Sequence, residues 1–253
     1  MTIRWPACIV ASLLAAGAAA APAQPGGEEL ADLEAQSDYA FYTHDARLAA
    51  RVLEDAAADA ASAERRVRLQ YAHAALRRVQ LASLDGEHGT VVRVGEACLE
   101  SLRSDVLGGA DAEALALSIA CGGYLSLEGG LRGHALGPRI DAWIVAAAPL
   151  VAGHPRLRLS RALALWYRTE AVADRVARCR ADFESAAAAL DGAHAGAAGE
   201  PSWGAADAWL YAGRAAAAAG DAVGARTAYE HALLVAPEFR AARRALDGFG
   251  TRP

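Results

Sequence analysis

Three histidines, His44, His88 and His134, are the residues whose type and spacing best suit metal chemistry, because each falls in a break between helical stretches. Imidazole is the commonest protein metal ligand. Stacked helix pairs would align such breaks on one edge, but neighbouring helices sit roughly 8–10 Å apart. That spacing is too wide for three rings to share one ion, so solvated turn histidines and no metal site are expected. The carboxylates Glu100, Glu113 and Glu128 could support acid–base chemistry, yet no base or nucleophile is placed to meet them. The run Gly129-Gly130-Leu131-Arg132-Gly133 has no preceding strand and no Gly-Lys-Ser/Thr ending, so it reads as a connection and not a phosphate loop. No G-x-S-x-G, H-E-x-x-H or dinucleotide glycine fingerprint occurs. A non-enzymatic chain without a cofactor is expected.

Cysteine chemistry depends on compartment. Residues 1–23 read as an export leader: Arg4 is followed by an apolar, small-residue run from Cys8 to Ala20 and by Ala21-Pro22-Ala23. Cys8 precedes the apolar run, so it is not placed as a lipoprotein cysteine. Cleavage near Ala23 would leave residues 24–253 in a periplasmic or secreted location, where disulfides can form. Cys98 and Cys121 lie almost equally far on either side of Gly108-Gly109. If those glycines tip an antiparallel helix hairpin, the two thiols reach the same height and a disulfide is open to them. Two small buried apolar residues are the alternative. Cys179 reads as packing.

The chain has a net charge of −5 and its basic residues, histidines aside, are all arginine. A mildly acidic surface argues against nucleic acid as a partner. Beyond the leader no stretch is long and apolar enough to span a membrane.

The elements that must carry these residues are helices. Alanine, leucine, arginine and glutamate dominate, and all favour helix. Apolar residues recur with helical period, as in Leu33, Ser37, Ala40, Phe41 and in Leu115, Ile119, Gly122, Leu127. Turn residues divide the chain into hairpins. Breaks are expected at Thr43-His44-Asp45, at Asp85 to Gly89, from Gly129-Gly130 through Gly137-Pro138, at Thr169 to Asp174, and at Gly220-Asp221. Asp59 to Ala63, Gly108-Gly109, Gly153-His154-Pro155 and the linker Asp191 to Pro201 separate the pairs. An all-α fold of about ten or eleven helices follows, with antiparallel hairpins stacked as a solenoid.

The last fifty residues are the most regular. Trp209, Gly213, Ala225, Tyr229, Ala232 and Pro237 stand at a spacing that resembles one tetratricopeptide repeat, best matched over 206–239. Ala212 and Ala216 depart from the usual leucine and tyrosine. Cys179, Phe183, Ala186 and Ala49, Leu53, Ala56 repeat the second-helix pattern more faintly. The pairing of His154-Pro155-Arg156 with Pro201-Ser202-Trp203-Gly204 also resembles uncharacterised exported bacterial repeat proteins. The resemblance implies that the small residues let helices approach, that Trp209 and Tyr229 fill the space between them, and that the first helix of each pair lines a concave face. Inward candidates for partner binding are then Asp207, Leu210 and Arg214, with Arg161, Leu165 and Trp166 on the preceding pair. Arginine beside an aromatic suits a carboxylate, although Trp166 could equally be core. The implied function is binding of a peptide or protein. The alternative is a small-molecule or lipid-binding accessory protein of an envelope transport system, with a cavity near Gly122-Gly123. An enzyme would need acids, bases or a nucleophile converging in one pocket.

Overall fold

The computed structural model describes residues 26–103, 111–168, 174–192 and 199–249. The expected tip at Gly108-Gly109, the leader 1–23 and most of the break at Thr169 to Asp174 lie outside the described residues. Eleven α-helices follow in order among those described: α1 (Gly27–Tyr42), α2 (Ala46–Asp55), α3 (Arg65–Leu84), α4 (His88–Ser101), α5 (Ala112–Leu127), α6 (Gly130–Ala147), α7 (Pro155–Trp166), α8 (Arg175–Asp191), α9 (Ala205–Ala218), α10 (Ala222–Val235) and α11 (Arg240–Phe249). No strand occurs among the described residues.

Local chemistry sets many of the boundaries. The carboxylates of Asp45, Asp111 and Asp221 accept first-turn N–H groups of α2, α5 and α10, which have no partner within the helix. Pro155 opens α7, where its missing N–H costs nothing. Gly86 and Gly220 take φ of +72° and +80° at the tips of two hairpins, a region that glycine enters without a Cβ penalty. His44 occupies the same region without glycine's freedom, at φ +56°.

One boundary differs from expectation. The third hairpin turns at Gly129 and Gly130, both at positive φ, and α6 then runs on through Gly137 and Pro138. Proline fits the helical φ and forfeits one backbone hydrogen bond. Burial of Leu136 and Ile140 holds the helix through the interruption.

Odd-numbered helices pack on their even partners, and α1, α3, α5 and α7 also pack on one another in sequence. Contact to the fifth hairpin passes mainly through α8 and α9. The result is an all-α, solenoid-like stack of antiparallel hairpins. No described helix is long and apolar enough to cross a membrane.

Helix α3 sits innermost, buried almost without interruption from Val67 to Ala82. It is not an apolar helix. Arg68, Gln70, His73, Arg77 and Arg78 are all buried on it, so each needs a partner to offset lost hydration. Arg68 finds the carbonyls of Ser101 and Ser62 at 2.7 and 3.1 Å.

The fifth hairpin shows why small residues recur. A Cβ on Gly213 would collide with the ring of Tyr229 across the α9–α10 contact. Ala225 and Ala232 are fully buried on α10. Trp209 covers the junction with α8: its Nε1 donates to Asp191 at 2.6 Å, and its ring stacks on His231 with centroids 4.6 Å apart. Pro237 is exposed just beyond α10. Replacing Gly213 with valine should separate the two helices. The expected loss is about 1–3 kcal/mol from overpacking, partly offset by better helix propensity, and is read as a lower urea midpoint.

Candidate functional site

The inner face formed by the odd-numbered helices is occupied by the chain itself. Residues 199–204, without regular secondary structure, run across α1 and α3. Gln70 Nε2 on α3 donates to the Gly199 carbonyl at 3.4 Å and to Glu34 Oε2 on α1 at 2.7 Å. Glu34 accepts the Ser202 backbone N–H at 2.9 Å and also the Ser202 hydroxyl. Arg65 Nη1 donates to Glu200 at 3.2 Å. Trp203, 5% exposed, stacks on His73 with ring centroids 5.6 Å apart and planes 17° from parallel. Gly199 makes the approach possible: at φ +84°, a Cβ there would lie 3.2 Å from Gly27 Cα.

Several polar atoms at this contact remain without hydrogen-bond partners: Gln70 Oε1, Trp203 Nε1 and both ring nitrogens of His73. His73 Nε2 lies 3.1 Å from Asp38 Oδ1, within reach of charge attraction but outside hydrogen-bond alignment.

Beside this segment, one arginine ties three helices together. Arg77 on α3 is 1% exposed. Its Nε donates to Asp38 on α1 at 2.6 Å, while Nη1 and Nη2 form a fork to both oxygens of Asp207 on α9, at 3.1 and 2.7 Å. The guanidinium lies over the Phe41 ring, 4.5 Å from its centroid. Tyr42 completes the group with its hydroxyl 3.3 Å from Asp207, and its ring packs 4.5 Å from that of Phe239. Ends of the chain far apart in sequence are thereby clasped. Burial alone would raise the Asp38 pKa, but the Arg77 charge and then the His73 interaction lower it to about 2. Burial and the charge of Asp207 push the Tyr42 phenol well above its ordinary range, so it stays a hydrogen-bond donor.

The expected binding residues therefore part company. Asp207 is buried and committed to Arg77, and Leu210, 3% exposed, belongs to the core with Tyr42 and Phe239. Neither lies open on a concave surface: Asp207 meets Arg77 and Tyr42, and Leu210 clusters with Tyr42. Arg214 remains half-buried, its guanidinium 4.8 Å from the centroid of Tyr211. Trp166, also half-buried, meets Phe183 edge-on at 6.2 Å, and Phe183 in turn meets Tyr211 at 5.5 Å. Trp166 and Arg214 thus sit around one aromatic cluster, joined by Tyr167, whose hydroxyl is 2.7 Å from that of Tyr211. Arg161 stands apart from these contacts, with Nε buried and unpaired.

Cys98 on α4 and Cys121 on α5 form a disulfide, with Cα atoms 6.6 Å apart. It joins the second helix of one hairpin to the first helix of the next. Cys179 is a free, buried thiol whose Sγ lies 3.6 Å from the Ala162 carbonyl.

The turn histidines do not gather. His44 Nε2 bonds Asp85 at 2.8 Å and His88 Nδ1 bonds Glu128 at 2.8 Å, so each links one hairpin tip to the next. His134 is an exposed residue within α6 rather than in a break. Among the described residues no group of three His, Cys, Asp or Glu side chains could hold a metal ion. Glu113 in the first turn of α5 and Glu128 at its end are separated by the helix length, roughly 20 Å, too far for a carboxylate pair. Burial raises the Glu113 pKa and outweighs Arg156, whose Nε donates to it at 2.7 Å.

Room near Gly122 is already filled: a Cβ there would meet Trp143 at 2.9 Å and Ile140 at 3.3 Å. A cleft of about 480 Å³ opens instead between α4, α5 and α6, floored by Leu99, Leu125 and Leu136 and rimmed by Glu100 and Arg139.

Comparison with protein-family models, with curated proteins and with solved structures finds no match. The residues that build the inner contact, Glu34, Asp38, Gln70, His73 and Arg77, carry no motif. The one signal was Trp203, a large aromatic in a proline- and glycine-framed connection, where exposure of an indole would be costly.

Proposed function

We propose that the chain is an exported helical-repeat protein of the tetratricopeptide type that binds a peptide or protein along its inner face, without catalysis and without a cofactor. One observation carries this reading: an irregular backbone stretch, residues 199–204, is gripped by side chains of α1 and α3 through its carbonyl, its N–H and an aromatic side chain. Helical stacks commonly act as extended binding surfaces, an analogy of architecture. The leader and the Cys98–Cys121 disulfide support an oxidising location. The half-buried cluster of Trp166, Tyr167 and Arg214 is the open flank of that face. Affinity capture from an envelope extract, with residues 24–253 as bait, tests the reading. Arg214→Glu and Trp166→Ala should each reduce recovery of a captured partner at least about tenfold, as expected when a central anchor is lost. Undiminished recovery with both variants removes the assignment.

The cleft beside Leu99, Leu125 and Leu136 supports a second reading, binding of a small amphiphile in an envelope transport system. Its volume of about 480 Å³ falls within the range of ligand pockets. Native mass spectrometry of the purified protein should then retain a small ligand that Leu136→Trp expels.

A further inference from the structure

Residues 199–204 are held as a ligand is held. The contacts that seat them reach across 129 positions to Gln70, 135 to Arg65 and 168 to Glu34. Pro201 has no N–H to leave unpaired and a fixed φ, which suits an irregular segment crossing helices. Each group of the stretch has its own reader: an amide for the Gly199 carbonyl, a carboxylate for the Ser202 N–H and hydroxyl, and an imidazole face for the indole.

We propose that the surface between α1 and α3 recognises a peptide with a hydroxyl residue followed by an aromatic one, and that residues 199–204 fill it in cis until such a peptide displaces them. The proposal rests on the peptide-binding reading above and names the chemistry of its ligand. Two features favour exchange over a permanent seal. Unpaired buried atoms collect at the contact, namely Trp203 Nε1, Gln70 Oε1 and His73 Nδ1, so the cis complex is weaker than a fully satisfied one. The cis segment also prevails through its tether, which acts as a high effective concentration rather than through high intrinsic affinity. A peptide that carries an added donor for the Gln70 carbonyl gains what the cis segment leaves unmade.

The probe is the fluorescein-labelled hexapeptide Gly-Glu-Pro-Ser-Trp-Gly, with a control in which its Ser and Trp are alanine. Trp203→Ala vacates the indole site and should bind the hexapeptide at least about tenfold more tightly than the unaltered chain does, as relief of a tethered competitor predicts. The control peptide should not bind, and adding Glu34→Ala should abolish binding. A folded Trp203→Ala protein that binds no better than the unaltered chain overturns the proposal. Should Trp203→Ala not fold, amide exchange on the unaltered chain decides. Excess hexapeptide should accelerate exchange at Ser202 and Trp203 and leave α10 unchanged; no acceleration overturns the proposal. A concentration-dependent dimer dissociated by the hexapeptide would assign the groove to a second copy and also overturn it. Failure here with Arg214-dependent capture intact rejects only the cis-ligand idea. Loss of Arg214-dependent capture rejects the wider function instead.

Discussion

Arg77→Met is expected to lower stability by about 3–5 kcal/mol, the usual consequence of removing one partner from a buried ionic group. The guanidinium is 1% exposed and holds two carboxylates on two other helices. Without it, Asp38 and Asp207 stay close together in a poorly hydrated interior with no compensating charge. Methionine keeps much of the volume, so the loss reports charge and hydrogen bonding rather than a cavity. For a chain of this size the melting temperature should fall by about 10 °C. Asp207→Asn should cost less, because the amide still accepts one of the two bonds from Arg77. The clasp also predicts acid sensitivity. The folded pKa of Asp38 is about 2, below its ordinary value of 3.8, so the folded state favours the ionised form. That contribution is fully present above about pH 4 and is lost as pH falls toward 2. Urea midpoints should drop across that window in the unaltered chain and less so in Asp38→Asn. Equal slopes would detach the acid response from the clasp.

Loss of the Cys98–Cys121 bond should cost about 3 kcal/mol. The bonded residues are 23 positions apart, and closing a loop of that size in the unfolded chain accounts for that figure on the chain-entropy model. Both cysteines are fully buried in one apolar core cluster, so Cys98→Ala with Cys121→Ala removes the crosslink while keeping the site apolar. Unfolding in urea with and without reductant separates the crosslink from packing. Reductant should shift the midpoint of the unaltered chain down toward that of the double variant, and leave the double variant unmoved. A thiol count on the unreduced protein should find Cys179 as the only free thiol of residues 24–253.

Much of the fold is legible in the sequence because local chemistry enforces it. Asp45, Asp111 and Asp221 cap helices wherever a first turn needs an acceptor, and Gly86 and Gly220 mark turns that demand positive φ. The close approach at Gly213 is legible too, since a glycine about two helical turns from either cap has little other use. Pro138 misleads because its cost, one hydrogen bond, is smaller than what α6 gains by burying Leu136 and Ile140 on α5. The inner contact is hardly legible beyond Trp203. Asp207 looks like an exposed acid in an alanine-rich helix, and its partner Arg77 stands 130 positions away. No local pattern records a pairing that arises only when the fifth hairpin returns to the first. The expectation that Asp207 and Leu210 face a free concave surface fails for that reason.

Residues 199–204 cross the inner face of the stack on α1 and α3. Amide hydrogen exchange at Ser202 tests it most directly, because this N–H lies in an irregular segment with no helix or sheet to shield it. Its bond to Glu34 at 2.9 Å predicts protection well above that of an unstructured chain, and loss of that protection in Glu34→Ala. Exchange at the rate of an unstructured chain would contradict the claim and leave the inner face open.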